Sequence, residues 1–240
     1  MTGMLASVTS VAEAEVVLQA GADIIDIKHP GLGALGAQDI NVIRGIVEHV
    51  NGRRIISATV GDILPDDPSL PDRIEDVAAT GVDIVKVGLF ASQPTGSFLK
   101  HIESAVKRNI KVVIVMFAEN SPLDDATTQL LKTGVYGVMV DTCIKDGLSL
   151  RAHMSPQDID RFVHTVQSQT RIAGLAGSLS IDDIQPLLTA AADYLGFRGA
   201  LCEHKQRTAQ IDVKRVESVC QTVHNGADIG YGEKYLQKAI

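Results

Sequence analysis

The chain reads as an α/β protein, a single-domain (β/α)8 TIM barrel. Three observations predict this. Short apolar runs recur at intervals of about 30 residues, the size of one βα unit, with amphipathic stretches between them. Eight such units fill the 240 residues, and eight favour a closed barrel over an open doubly wound sheet. The composition is 45% hydrophobic but only 4% aromatic. Val, Ile, Leu and Ala must therefore fill the core, which suits parallel strands covered by helices.

The elements follow in order. Leu5–Val8 is the first strand, and Val11–Ala20 has a helical pattern. Asp23–His29 is the second strand, followed by a Gly-rich loop, Pro30–Gly36, and a helix near Gln38–Val50. Arg54–Gly61 is the third. Asp62–Pro71 holds three prolines and reads as a loop, which puts the next helix near Arg73–Thr80. Asp83–Phe90 precedes a helix near Ser97–Arg108, and Lys111–Phe117 precedes one near Asp124–Thr133. Tyr136–Asp141, Arg171–Gly177 and Tyr194–Gly199 are the last strands; their helices lie near Pro156–Gln169, Ile181–Ala190 and Asp212–Val223. Gly21, Gly81 and Gly134 each stand between a helix and the next strand, twice in the form Gly-x-Asp. Glycine there suits a helix C-cap with positive φ. The barrel is expected over 1–224 and a tail over 225–240, in which Glu233–Ile240 has the pattern of a short amphipathic helix.

A formal charge of -7 argues against nucleic acid as a partner, since that needs a basic surface. A local basic pocket for an anionic metabolite stays open. Cys143, Cys202 and Cys220 show no CxxC spacing and read as reduced thiols of a cytoplasmic protein. The start lacks the pattern of a signal peptide, and no apolar run approaches the roughly 18–20 residues of a membrane span. A homo-oligomer is expected as a tendency of such barrels.

In these barrels the active site lies where strands end and βα loops begin. The second strand ends in Asp26 and Lys28, two residues apart and so on one face. Lys86 interrupts the apolar run Ile84-Val-Lys-Val-Gly88, and lysine is almost never buried without a partner. Two lysines close together inside a barrel would depress one another's pKa, and a neutral amine can form a Schiff base with a carbonyl. The competing reading makes Lys28 and Lys86 partners of Asp26 and Asp141 in buried ion pairs. Asp141 closes the sixth strand, where it could orient a lysine or shuttle protons. Lys145, just beyond, is either a phosphate ligand or an exposed loop lysine. After the seventh and eighth strands, Gly177, Ser178, Gly199 and Ala200 would offer backbone N–H groups to a phosphate. Arg198 would add a charged fork there, or pair with a barrel acid. No histidine spacing suggests a metal, and His29 points away from the barrel axis by parity. Gly31–Gly36 spells G-x-G-x-x-G but follows the wrong strand for a dinucleotide site, so it reads as a loop over substrate.

These motifs resemble a known family. Asp23–Lys28 with its Pro-Gly-x-Gly-Ala-Leu-Gly-Ala loop, Ser57–Asp62, Val85–Leu89, Met139–Gly147, Leu175–Leu179 and Gly196–Cys202 are similar to (5-formylfuran-3-yl)methyl phosphate synthase, over nearly the whole chain. The resemblance implies a lyase that condenses two glyceraldehyde 3-phosphate molecules to the furan precursor of methanofuran or methylofuran. It implies Lys28 as the Schiff-base lysine and Lys86 as proton acceptor, supported by Asp26, Asp141 and Lys145. His29 and Ala34 are places where this loop departs from the family pattern. No cofactor is implied, since a protonated imine nitrogen does the polarising. The rivals are another Schiff-base aldolase acting on a sugar phosphate, and a non-catalytic protein that binds phosphorylated metabolites.

Overall fold

The computed structural model describes residues 1–121, 123–144 and 147–227. Eight parallel strands close into a barrel in the order β1 to β8, with β1 paired to β8. Along the chain run β1 (Gly3–Val8), α1 (Val11–Gln19), β2 (Ile24–Ile27), α2 (Ile40–Val50), β3 (Ile55–Thr59) and α3 (Leu70–Ala78). Next come β4 (Ile84–Gly88), α4 (Gly96–Lys107), β5 (Val112–Phe117), α5 (Asp124–Lys132) and β6 (Gly137–Asp141). The last are α6 (Leu150–His153), α7 (Pro156–Ser168), β7 (Ile172–Leu175), α8 (Ile184–Leu188), β8 (Tyr194–Phe197) and α9 (Val213–Ala227). None of the helices among the described residues is long and apolar enough to cross a membrane.

The strands are apolar on both faces because both are covered. Ile25, Ile27, Val85, Val87, Ile114, Val138 and Val140 point outward into one large core with the helices. Leu5, Ile84, Val113, Val115, Met139 and Tyr194 fill the barrel itself. Tyr194 fits there because β7 faces it with Gly174, whose missing Cβ would stand 2.3 Å from the ring. Burial pushes the Tyr194 phenol far up, so it stays neutral and packs as an apolar body.

The Gly-x-Asp repeat has a physical reason. Gly21, Gly81 and Gly134 have φ of +92°, +90° and +83°, the left-handed turn that ends a helix. After Gly21 and Gly81 the aspartate two residues on reaches the foot of the preceding strand. Asp23 accepts from Met4 N at 2.7 Å and Asp83 from Ile56 N at 2.8 Å. Asp193 does the same for Ala173 N at 2.7 Å, with Ala191 holding the positive φ in place of glycine.

Three boundaries differ from expectation. α3 begins at Leu70, inside the stretch read as loop, with Pro71 in its first turn, where the missing N–H breaks no bond. The helix expected from Ile181 starts as a 3-10 turn, Ile181–Asp183, capped by Ser180 and Asp183 on each other's backbone N–H. α6 was hidden, being only four residues long. α9 runs to Ala227, past the expected edge at 224; the tail from 228, with the helix expected at Glu233–Ile240, lies outside the described residues.

Candidate active site

A ring of polar side chains caps the apolar filling of the barrel. Strand register builds it: Asp26 stands opposite Ser7 of β1 and Ser57 of β3, and Lys86 of β4 stands opposite Thr59. All five share the inward parity of their strands. Asp26 is fully buried and Lys86 is 2% exposed. Lys86 Nζ lies 2.9 Å from Asp26 Oδ1. Ser57 Oγ donates to the same oxygen at 2.7 Å and Ser7 Oγ to Oδ2 at 2.9 Å. Burial alone would raise the Asp26 carboxyl; the charges of Lys86 and Lys28 and the hydrogen bonds from Ser57 and Lys86 outweigh it and hold it below the usual carboxylate range.

Lys28 sits one residue beyond β2 and is half-buried. It lines a cavity of about 560 Å³ at the barrel mouth with Asp26, Lys86 and Asp141. That volume suits a small metabolite. Asp141, 4% exposed, accepts from Thr142 N at 2.7 Å. So four of the five residues expected to carry the chemistry meet in one cavity. The fifth, Lys145, lies outside the described residues.

The expected anion loops border the same cavity. Gly177, Ser178, Gly199 and Ala200 all line it. Gly177 has φ +113° and Ser178 +47°, a backbone turn that leaves no room for a Cβ at 177, which would meet Thr142 at 2.8 Å. Gly199–Leu201 is a 3-10 turn.

Arg198 reaches the cavity wall, but its guanidinium is already committed. Nε donates to Arg207 O at 2.8 Å. Nη1 donates to Ser7 O at 3.1 Å and Glu13 Oε2 at 2.6 Å. Nη2 donates to Glu13 Oε1 at 3.2 Å and Ala209 O at 2.9 Å. An arginine has five N–H groups, so none remains for an anion. The acid that takes it is Glu13 of α1, not one of the barrel.

The loop after Lys28 is held from two sides. Asp62, beyond β3, accepts from Ala34 N at 2.9 Å and Leu35 N at 2.7 Å. Gly33 is required there, since its Cβ would stand 2.0 Å from Asp62 Oδ2. Across the mouth, Arg207 Nη2 donates to Pro30 O and Gly33 O. Sequence reasoning missed Ser7, Lys205 and Arg207 among the cavity-lining residues. Ser7 was findable, being the one polar inward position of β1. Nothing near Lys205 and Arg207 in the sequence marks them; only the path of the loop after β8 brings them in.

A family model described as 4-HFC-P synthase matches residues 4–220. The chain belongs to the 4-HFC-P synthase family. The (5-formylfuran-3-yl)methyl phosphate synthase of Methanosarcina acetivorans is 35% identical over 231 residues, 91% of this chain and 99% of that one. Its counterpart from Archaeoglobus fulgidus is 36% identical over 236 residues, 92% and 99% of the two chains. Membership makes the protein an enzyme with a role in furan biosynthesis, as the motifs implied. Among solved structures, phosphoribosyl anthranilate isomerase from Thermotoga maritima superposes with a TM-score of 0.68 at 12% identity, covering 94% of this chain and all of that one. At that identity the likeness shows the fold alone.

Proposed function

We propose that this enzyme condenses two molecules of glyceraldehyde 3-phosphate into (5-formylfuran-3-yl)methyl phosphate through a Schiff base on Lys28. The observation that carries the reading is the half-buried Lys28 facing one cavity with the buried Asp26–Lys86 pair. Lys28 Nζ attacks an aldehyde carbon, and loss of water gives a protonated imine. The imine acidifies the neighbouring C–H. Lys86 can take that proton only as the free amine, after giving up its own; the transfer leaves an enamine, with Asp26 balancing the ammonium that Lys86 becomes. The enamine expels the phosphate on its β-carbon or adds to the carbonyl of the second aldehyde. Ring closure and hydrolysis return the amine. The balance is two triose phosphates to one furan phosphate, one inorganic phosphate and two waters.

Backbone N–H groups at Gly177, Ser178, Gly199 and Ala200 supply one phosphate site in this reading. Asp141 stands ready to orient an amine or pass a proton, with Lys145 serving the same reaction from the β6 loop.

The test is incubation with glyceraldehyde 3-phosphate alone. A strongly ultraviolet-absorbing furan aldehyde and free phosphate are expected to appear together. Borohydride added during turnover should fix an adduct on Lys28, and Lys28→Arg should abolish it, because guanidinium is not a usable nucleophile. An adduct mapped to Lys86 would reassign the nucleophile. Trapping on Lys28 with no furan product would make the enzyme a different Schiff-base aldolase.

A further inference from the structure

We propose that Arg207 is the side chain that recognises a substrate phosphoryl group and couples it to the loop behind Lys28. The proposal deepens the reading given above, and its first readout does not depend on Schiff-base chemistry. Arg207 lines the same cavity as Lys28. Its Nη2 donates to Pro30 O and Gly33 O, carbonyls two and five residues beyond Lys28. Both acceptors are neutral. Among the described residues no carboxylate pairs with Arg207, whereas Arg198 nearby is matched by Glu13.

Among the described residues the charge therefore has no carboxylate to balance it, at a partly buried position. Arginine carries five N–H groups, and Nη2 uses two, which leaves three on Nη1 and Nε. A cation held in place by neutral carbonyls, with donors to spare, matches what a phosphoryl dianion needs. Its backbone is fixed as well, because Arg207 O accepts from Arg198 Nε at 2.8 Å. Lys205, on the same loop and lining the same cavity, adds a second positive charge without a carboxylate partner among the described residues. Arg198, which the sequence suggests for this duty, has no donor left. The geometry thus points to one residue that can touch a phosphate and the β2 loop at once. The ligand class is a short phosphorylated aldehyde whose carbonyl reacts at Lys28.

Two measurements test it. First, inorganic phosphate is titrated calorimetrically into wild type, Arg207→Gln and Arg207→Lys. Arg207→Gln should bind at least about tenfold more weakly, and Arg207→Lys should fall between, as expected for loss of a charge-assisted hydrogen bond. Second, borohydride trapping is compared for glyceraldehyde 3-phosphate and glyceraldehyde. Wild type should prefer the phosphorylated aldehyde. Arg207→Gln should lose most of that preference while trapping of glyceraldehyde changes little.

No phosphate binding by wild type, or equal binding by wild type and Arg207→Gln, overturns the proposal. Equal loss of trapping for both aldehydes also overturns it, reducing Arg207 to a clamp on the loop. If wild type traps neither aldehyde but phosphate binding still depends on Arg207, the anion site stands and the Lys28 reading falls. Should Arg207→Gln fail to fold, Arg207→Lys decides: weaker phosphate binding with reduced preference supports the proposal, and no change in either refutes it.

Discussion

A carboxylate at the centre of a protein keeps its charge only if its neighbours replace the water it lost. Asp26 has two serine hydroxyls and an ammonium within 2.9 Å. The ammonium in turn is tolerated at 2% exposure because Asp26 stands beside it. Removing either partner strands the other, which typically costs about 3–5 kcal/mol. Asp26→Asn should lose roughly that much in urea unfolding near neutral pH. The pH dependence has a definite sign. The folded-state pKa of Asp26 is lowered, so its contribution to stability is full above the unfolded value of about 3.9 and is lost as the pH falls through the folded value. Wild type should therefore lose more unfolding free energy than Asp26→Asn between about pH 6 and pH 3. Parallel curves would place the acid sensitivity on other groups. The competing reading of the sequence, a satisfied ion pair, holds for Lys86 and Asp26. It does not displace the functional one, because the pair faces a cavity together with Lys28.

At the level of elements, the barrel was legible and its loops were not. Eight strands were readable because each is a run of aliphatic residues broken only where the barrel mouth begins, as at Asp26 and Lys86. Parity then told which side chains share the interior. Loop contacts follow no such period. Asp62 could be noticed as a polar residue at a strand end, yet that it accepts from Ala34 and Leu35 depends on where the chain turns after β2. Arg198 shows the same limit in reverse: its place at the mouth was readable, while its engagement by Glu13 and three carbonyls depends on the three-dimensional path of the chain. Asp62→Ala should free two backbone N–H groups, at a local cost of roughly 1–3 kcal/mol. In hydrogen exchange, Ala34 and Leu35 are expected to exchange faster while the eight strands stay protected. Unchanged exchange at both amides would show that Arg207 alone suffices to hold the loop.

For the whole molecule, closure depends on a seam between the ends of the sequence. β1 pairs with β8, Thr2 Oγ1 donates to Ala192 O at 2.7 Å, and Arg198 locks β8 to Ser7 and Glu13. Glu13 also accepts from Thr9 N and Oγ1 at 2.7 and 2.9 Å, so the knot joins the first βα loop to the last. Arg198→Met should destabilise the fold measurably in urea denaturation, because it leaves the partly buried Glu13 without its counter-charge. Replacing Glu13 by Leu in the same chain should restore part of the loss; no restoration would mean that the carbonyl contacts, not the ion pair, carry the seam. The seam also sets an order of events during synthesis. Asp26, Lys86 and both serines are all translated within the first 86 residues, but Arg198 and the loop that carries Arg207 come last. A chain still on the ribosome therefore contains every residue of the Asp26–Lys86 pair before the strand that closes the barrel has been made. A chain that stops short of β8 would carry Lys28 and Lys86 without the residues that enclose their cavity on that side.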